Sequence, residues 1–137
     1  MVLFRLMGID FGTVRIGIAL SDPLQIISQP FKVIPNTENT ISEICKIIKS
    51  EKVGKIILGL PLNLDGEDTK KTLEVRKFSE MLESNIDIPV IFWDERYTTV
   101  EANEYLKQMG YNIAKSKKVI DKVAASIILK SYMENQA

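Results

Sequence analysis

Four acidic residues occupy positions from which they could act together on one chemical step. They are Asp10, Asp94, Glu95 and Asp121. Alone, each has a plainer interpretation: Asp10 could serve a turn beside Gly12, the acids at 94 and 95 could belong to a solvated loop, and Asp121 could complement a helix dipole. Asp10 lies near the end of one apolar segment, and the acids at 94 and 95 directly follow another. Because ligand sites in open α/β sheets collect outside the carboxyl ends of parallel strands, the four together predict a shared site.

The absence of histidine narrows the chemistry that these acids could do. The chain contains none, which removes Ser-His-Asp and Cys-His catalysis, histidine zinc sites and imidazole acid–base chemistry. Oxygen ligands suit a hard divalent cation, and Mg²⁺ prefers one or two carboxylates together with waters and substrate phosphates. Two such ions (Mg²⁺ or Mn²⁺) about 4 Å apart would activate a water and stabilise the leaving oxygen of a phosphodiester.

Basic residues near the acids fit phosphate binding, although each also has an ordinary role. Arg15 follows a predicted hairpin turn and Arg96 adjoins the acids, so each could balance a carboxylate or hold a phosphate in bidentate fashion. Three lysines lie in a predicted loop before the last helix: Lys115, Lys117 and Lys118. They could form a solvated loop, or as a group they could track a nucleic-acid backbone without reading its sequence.

Glycines surround the first acid in the sequence. Gly8 and Gly12 flank Asp10 at short range, and Gly17 follows in the next apolar segment. Since glycine permits close approach to the backbone, we expect these positions to admit a bulky phosphate backbone.

The composition is that of one globular domain. The 137 residues, 45% hydrophobic and 26% charged, allow a single domain over 1–137. Net charge is zero, so any basic surface for nucleic acid must be local. No apolar run reaches the length of a membrane span, and the single cysteine, Cys45, cannot form an internal disulfide. We therefore expect a cytoplasmic protein with no membrane partner.

Hydrophobic periodicity predicts the elements that position these residues. The predicted strands cover residues 3–11, 15–21, 30–34, 55–61 and 88–93. The predicted helices cover residues 36–50, 69–84, 98–110 and 117–134. An initial antiparallel meander followed by βα units predicts an α/β fold, a mixed five-stranded sheet with helices on both faces.

Four ordered blocks of the sequence resemble the signature blocks of a known family. The blocks are "GIDFGTVRIGIALSD", "IILGLPLNLDG", "VIFWDERYTTVEA" and "IDKVAASIIL", and they look like those of the YqgF (also RuvX) family over residues 5–133. Members are small RNase H-like proteins related to the RuvC Holliday-junction resolvases. The resemblance implies an RNase H-like fold with strand order 3-2-1-4-5 and a metal-dependent nuclease. It also implies maturation of the 5′ end of pre-16S ribosomal RNA, with junction resolution as an older proposal.

The resemblance also assigns roles to the acids. It makes Asp10 the metal ligand on the first strand, Glu95 (with Asp94) the second and Asp121 the third, from the last helix. RNase H-like enzymes usually carry the second acid at the end of the fourth strand, whereas that strand here ends in "GLP". The second acid must then come from the segment after the fifth strand.

Three other functions compete with cleavage of structured RNA. A resolvase of branched DNA would keep the chemistry but would need a homodimer to cut two strands symmetrically. A sugar-kinase-like ATPase also begins "GIDxGT", but it needs two RNase H-like halves and this length supplies one. The third is a catalytically silent RNA-binding factor of ribosome assembly. The expected partners are nucleic acid and ribosomal precursor particles, and the chain could be a monomer or a homodimer.

Overall fold

The strands and helices form in the predicted order. In the computed structural model, residues 3–98 and 117–136 are described, without the side chains of residues 97 and 117–120. The strands are β1 Arg5–Phe11, β2 Arg15–Ser21, β3 Ser28–Pro35, β4 Val53–Leu60 and β5 Val90–Asp94. The helices are α1 Thr40–Ser50, α2 Lys70–Glu83 and α3 Lys117–Glu134, and a 3₁₀ turn covers Glu95–Tyr97. Apart from Thr98, the helix predicted over 98–110 lies outside the described residues.

Several predicted boundaries differ from the observed ones, and for two of them the structure gives a local reason. β3 begins at Ser28 rather than at residue 30, because Pro30 pairs with Ala19 beside a bulge where the sheet edge tolerates proline. α1 begins at Thr40 rather than at residue 36. The Asn36 side chain instead donates from Nδ2 to the Gly12 carbonyl at 2.9 Å, tying the end of β3 to the β1–β2 turn.

The sheet has the order β3-β2-β1-β4-β5, which confirms the prediction. β1 pairs antiparallel with β2 and parallel with β4, and β4 pairs parallel with β5. The carboxyl ends of β1, β4 and β5 therefore meet at one edge of the sheet. This edge is the expected position of a ligand site in an open α/β sheet.

Helices cover both faces of the sheet, as predicted. On one face, α1 and α2 pack on a core that includes Met7, Ile9 and Phe11 of β1. On the other face, α3 packs on a smaller core that includes Leu6 of β1 and Ile57 of β4. Alternation along β1 places Asp10 on the second face, beneath α3. No helix in the described part of the chain is long and apolar enough to span a membrane.

The glycines of β1 and β2 admit a helix, not a phosphate backbone. A Cβ built on Gly8 would stand 2.6 Å from the Ala125 carbonyl oxygen of α3, and one on Gly17 would clash with the Asp121 carbonyl. Gly12 admits the Arg15 carbonyl where the β1–β2 turn closes. The expectation that these glycines clear room for substrate was therefore wrong, because the missing side chains let α3 lie against the sheet.

We expect Gly17→Ala to destabilise the fold by about 3 kcal/mol, because the added methyl group meets helix backbone that cannot rotate away. Gly54→Ala in β4 is the matched control, since the atoms nearest its new Cβ belong to the side chain of Phe4, which can turn, and not to helix backbone. We expect the control to lose less than Gly17→Ala, because a side chain can move where helix backbone cannot. Urea unfolding of both variants measures the two losses, and equal losses would contradict the close packing of α3 on Gly17.

Candidate active site

Asp10 and Glu95 come together at the carboxyl edge of the sheet. Asp10 is the penultimate residue of β1, and Glu95 begins the 3₁₀ turn that follows β5. The pairing of Ile9 with Leu58 brings Asp10 beside Gly59 of β4. A Cβ on Gly59 would stand 2.9 Å from Cδ and Oε1 of Glu95, so the Glu95 carboxyl group lies directly over that glycine. The two carboxyl groups are hydrogen-bonded to each other.

The pKa values of both carboxyl groups in this pair are raised. Burial raises the pKa of Asp10 well above its usual value, and the charge of Glu95, their hydrogen bond and the charge of Asp121 raise it further. Burial also raises the pKa of Glu95. The cation of Lys71, in the first turn of α2, opposes both increases. Two adjacent carboxyl groups that titrate together favour one shared proton over two charges.

Asp121 lies close to this pair but contacts an arginine. Arg15, the first residue of β2, donates from Nε to Oδ2 of Asp121 at 3.0 Å. The backbone carbonyl of Asp121 lies over Gly17 of the same strand. The structure therefore brings Asp121 to the predicted site, where its charge acts on Asp10 and its carboxylate pairs with Arg15.

Asp94 is hydrogen-bonded to Arg96, two residues later in the chain. Nε and Nη2 of Arg96 donate to the Asp94 carboxylate, at 2.6 Å for the shortest contact, and the Arg96 backbone N–H donates to Oδ1. These bonds lower the pKa of Asp94 below its usual value. Nη1 of Arg96 also donates to the Leu64 carbonyl at 3.2 Å, beside Gly66. The Asp94–Arg96 pair thus fastens the loop after β4 to the end of β5.

A cleft of about 500 Å³ opens beside the acids. Its lining includes Thr13, Arg15, Lys70, Lys71, Glu74 and Asp121. Lys70 and Lys71 were missed in the sequence, although they follow the loop at the carboxyl end of β4 and so had to lie at the same edge. Lys115 lies outside the described residues, and only the backbone of Lys117 and Lys118 is described, as the start of α3.

The donor set fits a hard cation with two carboxylate ligands. Among the residues that the structure describes, no three acidic side chains are grouped so that they could hold one ion. The carboxyl groups of Asp10 and Glu95 supply the one or two carboxylates that Mg²⁺ prefers, and a cation would take the place of their shared proton. Asp121 stands outside this pair of ligands, since its Oδ2 accepts a hydrogen bond from Arg15.

Comparison with known proteins identifies the family. A family model described as "Holliday junction resolvase", that of RuvX, matches residues 4–135. The chain belongs to the RuvX family. A relative from Maridesulfovibrio salexigens, named "Putative pre-16S rRNA nuclease", is 46% identical over 94% of this chain and 97% of its own length. A relative of the same name from Lachnospira eligens is 42% identical over 96% of this chain and 98% of its own length.

Solved structures place this RuvX-family chain in the RNase H-like fold. Thermus thermophilus RuvC, solved with a Holliday junction substrate, superposes with a TM-score of 0.60 at 8% identity over 96% of this chain and 97% of that one. The fowlpox virus resolvase, solved with junction DNA, gives 0.59 at 15% identity over the same shares. The resemblance seen in the sequence is confirmed for both family and fold.

Proposed function

We propose that the chain is a divalent-metal-dependent endonuclease that hydrolyses phosphodiester bonds of structured RNA. The adjacent carboxyl groups of Asp10 and Glu95 carry this proposal, because two buried carboxyl groups beside a cleft that Arg15, Lys70 and Lys71 help to line form a centre for metal and phosphate. We infer that the substrate is the 5′ end of pre-16S ribosomal RNA, which the names of the relatives support. Its partners would then be ribosomal precursor particles in the cytoplasm.

Asp10 and Glu95 would hold Mg²⁺ or Mn²⁺, with a second ion when substrate is bound and Asp121 as the third carboxylate. The metal would supply an activated water and stabilise the leaving oxygen. Arg15 lines the cleft and would bind a substrate phosphate, which would draw it from Asp121. Lys71, whose charge already acts on both carboxyl groups, would bind a phosphate of the same strand.

For Asp94 and Arg96 the geometry supports a positioning role. The Arg96 guanidinium lies against the Asp94 carboxylate and the Leu64 carbonyl, so the pair holds the turn that carries Glu95. We therefore assign the second carboxylate ligand to Glu95 and the anchoring of its turn to Asp94.

Resolution of branched DNA is the second candidate function. The description of the family model favours it, and so does the similarity of the fold to two resolvases solved with Holliday junctions. A resolvase must cut two strands symmetrically, so this function requires two copies of the site in a homodimer. Measurement of mass in solution, with and without a four-way junction, tests that requirement.

A cleavage assay on three substrates tests the proposal. Precursor 16S RNA, single-stranded RNA and a four-way DNA junction are each incubated with Mg²⁺, with Mn²⁺ or with EDTA. We expect metal-dependent cleavage of the precursor RNA, inhibited by EDTA. Cleavage of the junction alone would favour the second candidate, and no cleavage of any substrate with either metal would contradict both.

A further inference from the structure

An apolar pocket lies on the α1–α2 face of the sheet, next to the cleft. It has a volume of about 270 Å³, slightly below the ~300–1,000 Å³ typical of small-molecule sites. The rings of Phe11 and Phe78, with centroids 4.8 Å apart, contribute to its lining. Ile41 of α1 and Met81 of α2 add further apolar surface. The pocket is therefore suited to one planar apolar ring rather than to a whole nucleotide.

The pocket and the cleft are neighbours that share part of their lining. Thr13, from the β1–β2 turn, and Glu74, from α2, line both. One face of α2 continues from one to the other, with Lys70 and Lys71 at the cleft and Lys77 at the pocket. The chain has no net charge. Three lysines from one helix beside these two cavities therefore form a local basic surface that would attract a polyanion.

The pocket is also built before any ligand arrives. Asn36 donates from Nδ2 to the Gly12 carbonyl and from its backbone N–H to the Val14 carbonyl, both at 2.9 Å. These bonds fix the turn that carries Thr13. Phe11 and Phe78 are both buried in the main core, so their positions are set by packing. A preformed pocket costs a ligand little ordering on binding.

We propose that this pocket seats one unpaired nucleobase of the strand whose phosphate binds in the cleft. An apolar lining with a polar rim matches a planar base with polar edges, and the lysines of α2 match the phosphates on either side. A base inside a duplex is stacked and paired, and its extrusion costs free energy, so a base that is already unpaired enters most readily. The inference rests on the proposed function and sharpens it: the substrate is single-stranded next to the cleavage site.

Two substitutions on α2 test the pocket with the same change of charge. Met81→Glu places a carboxylate at the pocket, whereas Leu73→Glu makes the same kind of change at an exposed position of α2 that lines neither cavity. The probes are fluorescein-labelled single-stranded RNAs in which one abasic residue is moved along the strand. Affinity is measured by anisotropy in Ca²⁺ and cleavage is measured in Mg²⁺, with fully paired duplex RNA for comparison.

We expect one abasic position to weaken binding to the wild-type protein and to the Leu73→Glu control by about tenfold, as the loss of one stacked base does. Met81→Glu should bind intact RNA about as weakly as the wild-type protein binds the abasic RNA. The abasic residue at that position should cause no further loss of affinity in Met81→Glu. The proposed base pocket would be contradicted if RNA bound equally well with the abasic residue at every position. It would also be contradicted if the losses from Met81→Glu and from the abasic residue added together. Cleavage by the wild-type protein in that case would leave the proposed function standing. Failure to bind any RNA would contradict both.

Discussion

We expect Asp10→Asn to lower metal-dependent cleavage by roughly a thousandfold while the chain remains folded. Loss of a carboxylate ligand removes several kcal/mol of transition-state stabilisation by a metal, and each 1.4 kcal/mol is about a factor of ten in rate. The variant should fold because an asparagine amide can donate to the Glu95 carboxylate in the place of the shared proton. The cleavage rate on precursor 16S RNA, together with the circular dichroism spectrum of the variant, measures both parts of this result.

The matched control is Asp87→Asn, the same substitution at an exposed position before β5. It should cleave like the wild-type protein, since residue 87 lies near the amino end of that strand, away from the carboxyl edge. If wild type and Asp10→Asn cleaved equally in preparations free of contaminating nuclease, Asp10 would have no place in the chemistry.

Without metal, we expect the same Asp10→Asn variant to be more stable than the wild-type protein at neutral pH. Burial and the charge of Glu95 raise the pKa of Asp10, so the folded state binds a proton that the unfolded state releases. The contribution of Asp10 to stability is therefore greatest below the ordinary carboxyl pKa and falls as pH rises toward the raised value. Asparagine has no proton to lose, and we expect its melting temperature to be several degrees higher at pH 7.

Thermal unfolding of both proteins in EDTA, from pH 4 to pH 8, measures this difference. The two melting temperatures should approach each other at the acidic end of the range. Added Mg²⁺ should raise the melting temperature of the wild-type protein alone, because a ligand stabilises the state that binds it. A variant less stable than wild type at neutral pH would contradict the electrostatic cost assigned to Asp10.

The order of strands could be predicted because each element carries its own pattern. Apolar runs separated by turn residues predicted all five strands, and the positions of the acids in the sequence predicted that Asp10 and Glu95 would lie at one edge of the sheet. That convergence follows from topology, since residues after neighbouring parallel strands share an edge whatever their side chains do. Asp121 lies on α3 and pairs with Arg15.

Contacts made by side chains across the fold could not be predicted in the same way. Asp94 and Glu95 are equivalent in the sequence, and only the 3₁₀ turn decides that the first bonds Arg96 while the second lies over Gly59. The role of Gly17 depends on a helix more than a hundred positions away. Nothing in the sequence around Lys71 indicates a role at the site, because a lysine at the start of a helix is usually exposed to solvent.

The contacts of α3 and Glu95 with Gly17 and Gly59 have an evolutionary consequence. The Asp121 carbonyl lies on one of these glycines and the Glu95 carboxyl group on the other. The absence of a side chain at these two points therefore sets how closely Asp121 approaches β2 and Glu95 approaches β4. A single methyl group at either point would displace an acid and also loosen the packing. A substitution at these positions would therefore lower activity and stability together. In a mutational library, both properties should be lost together at these two glycines.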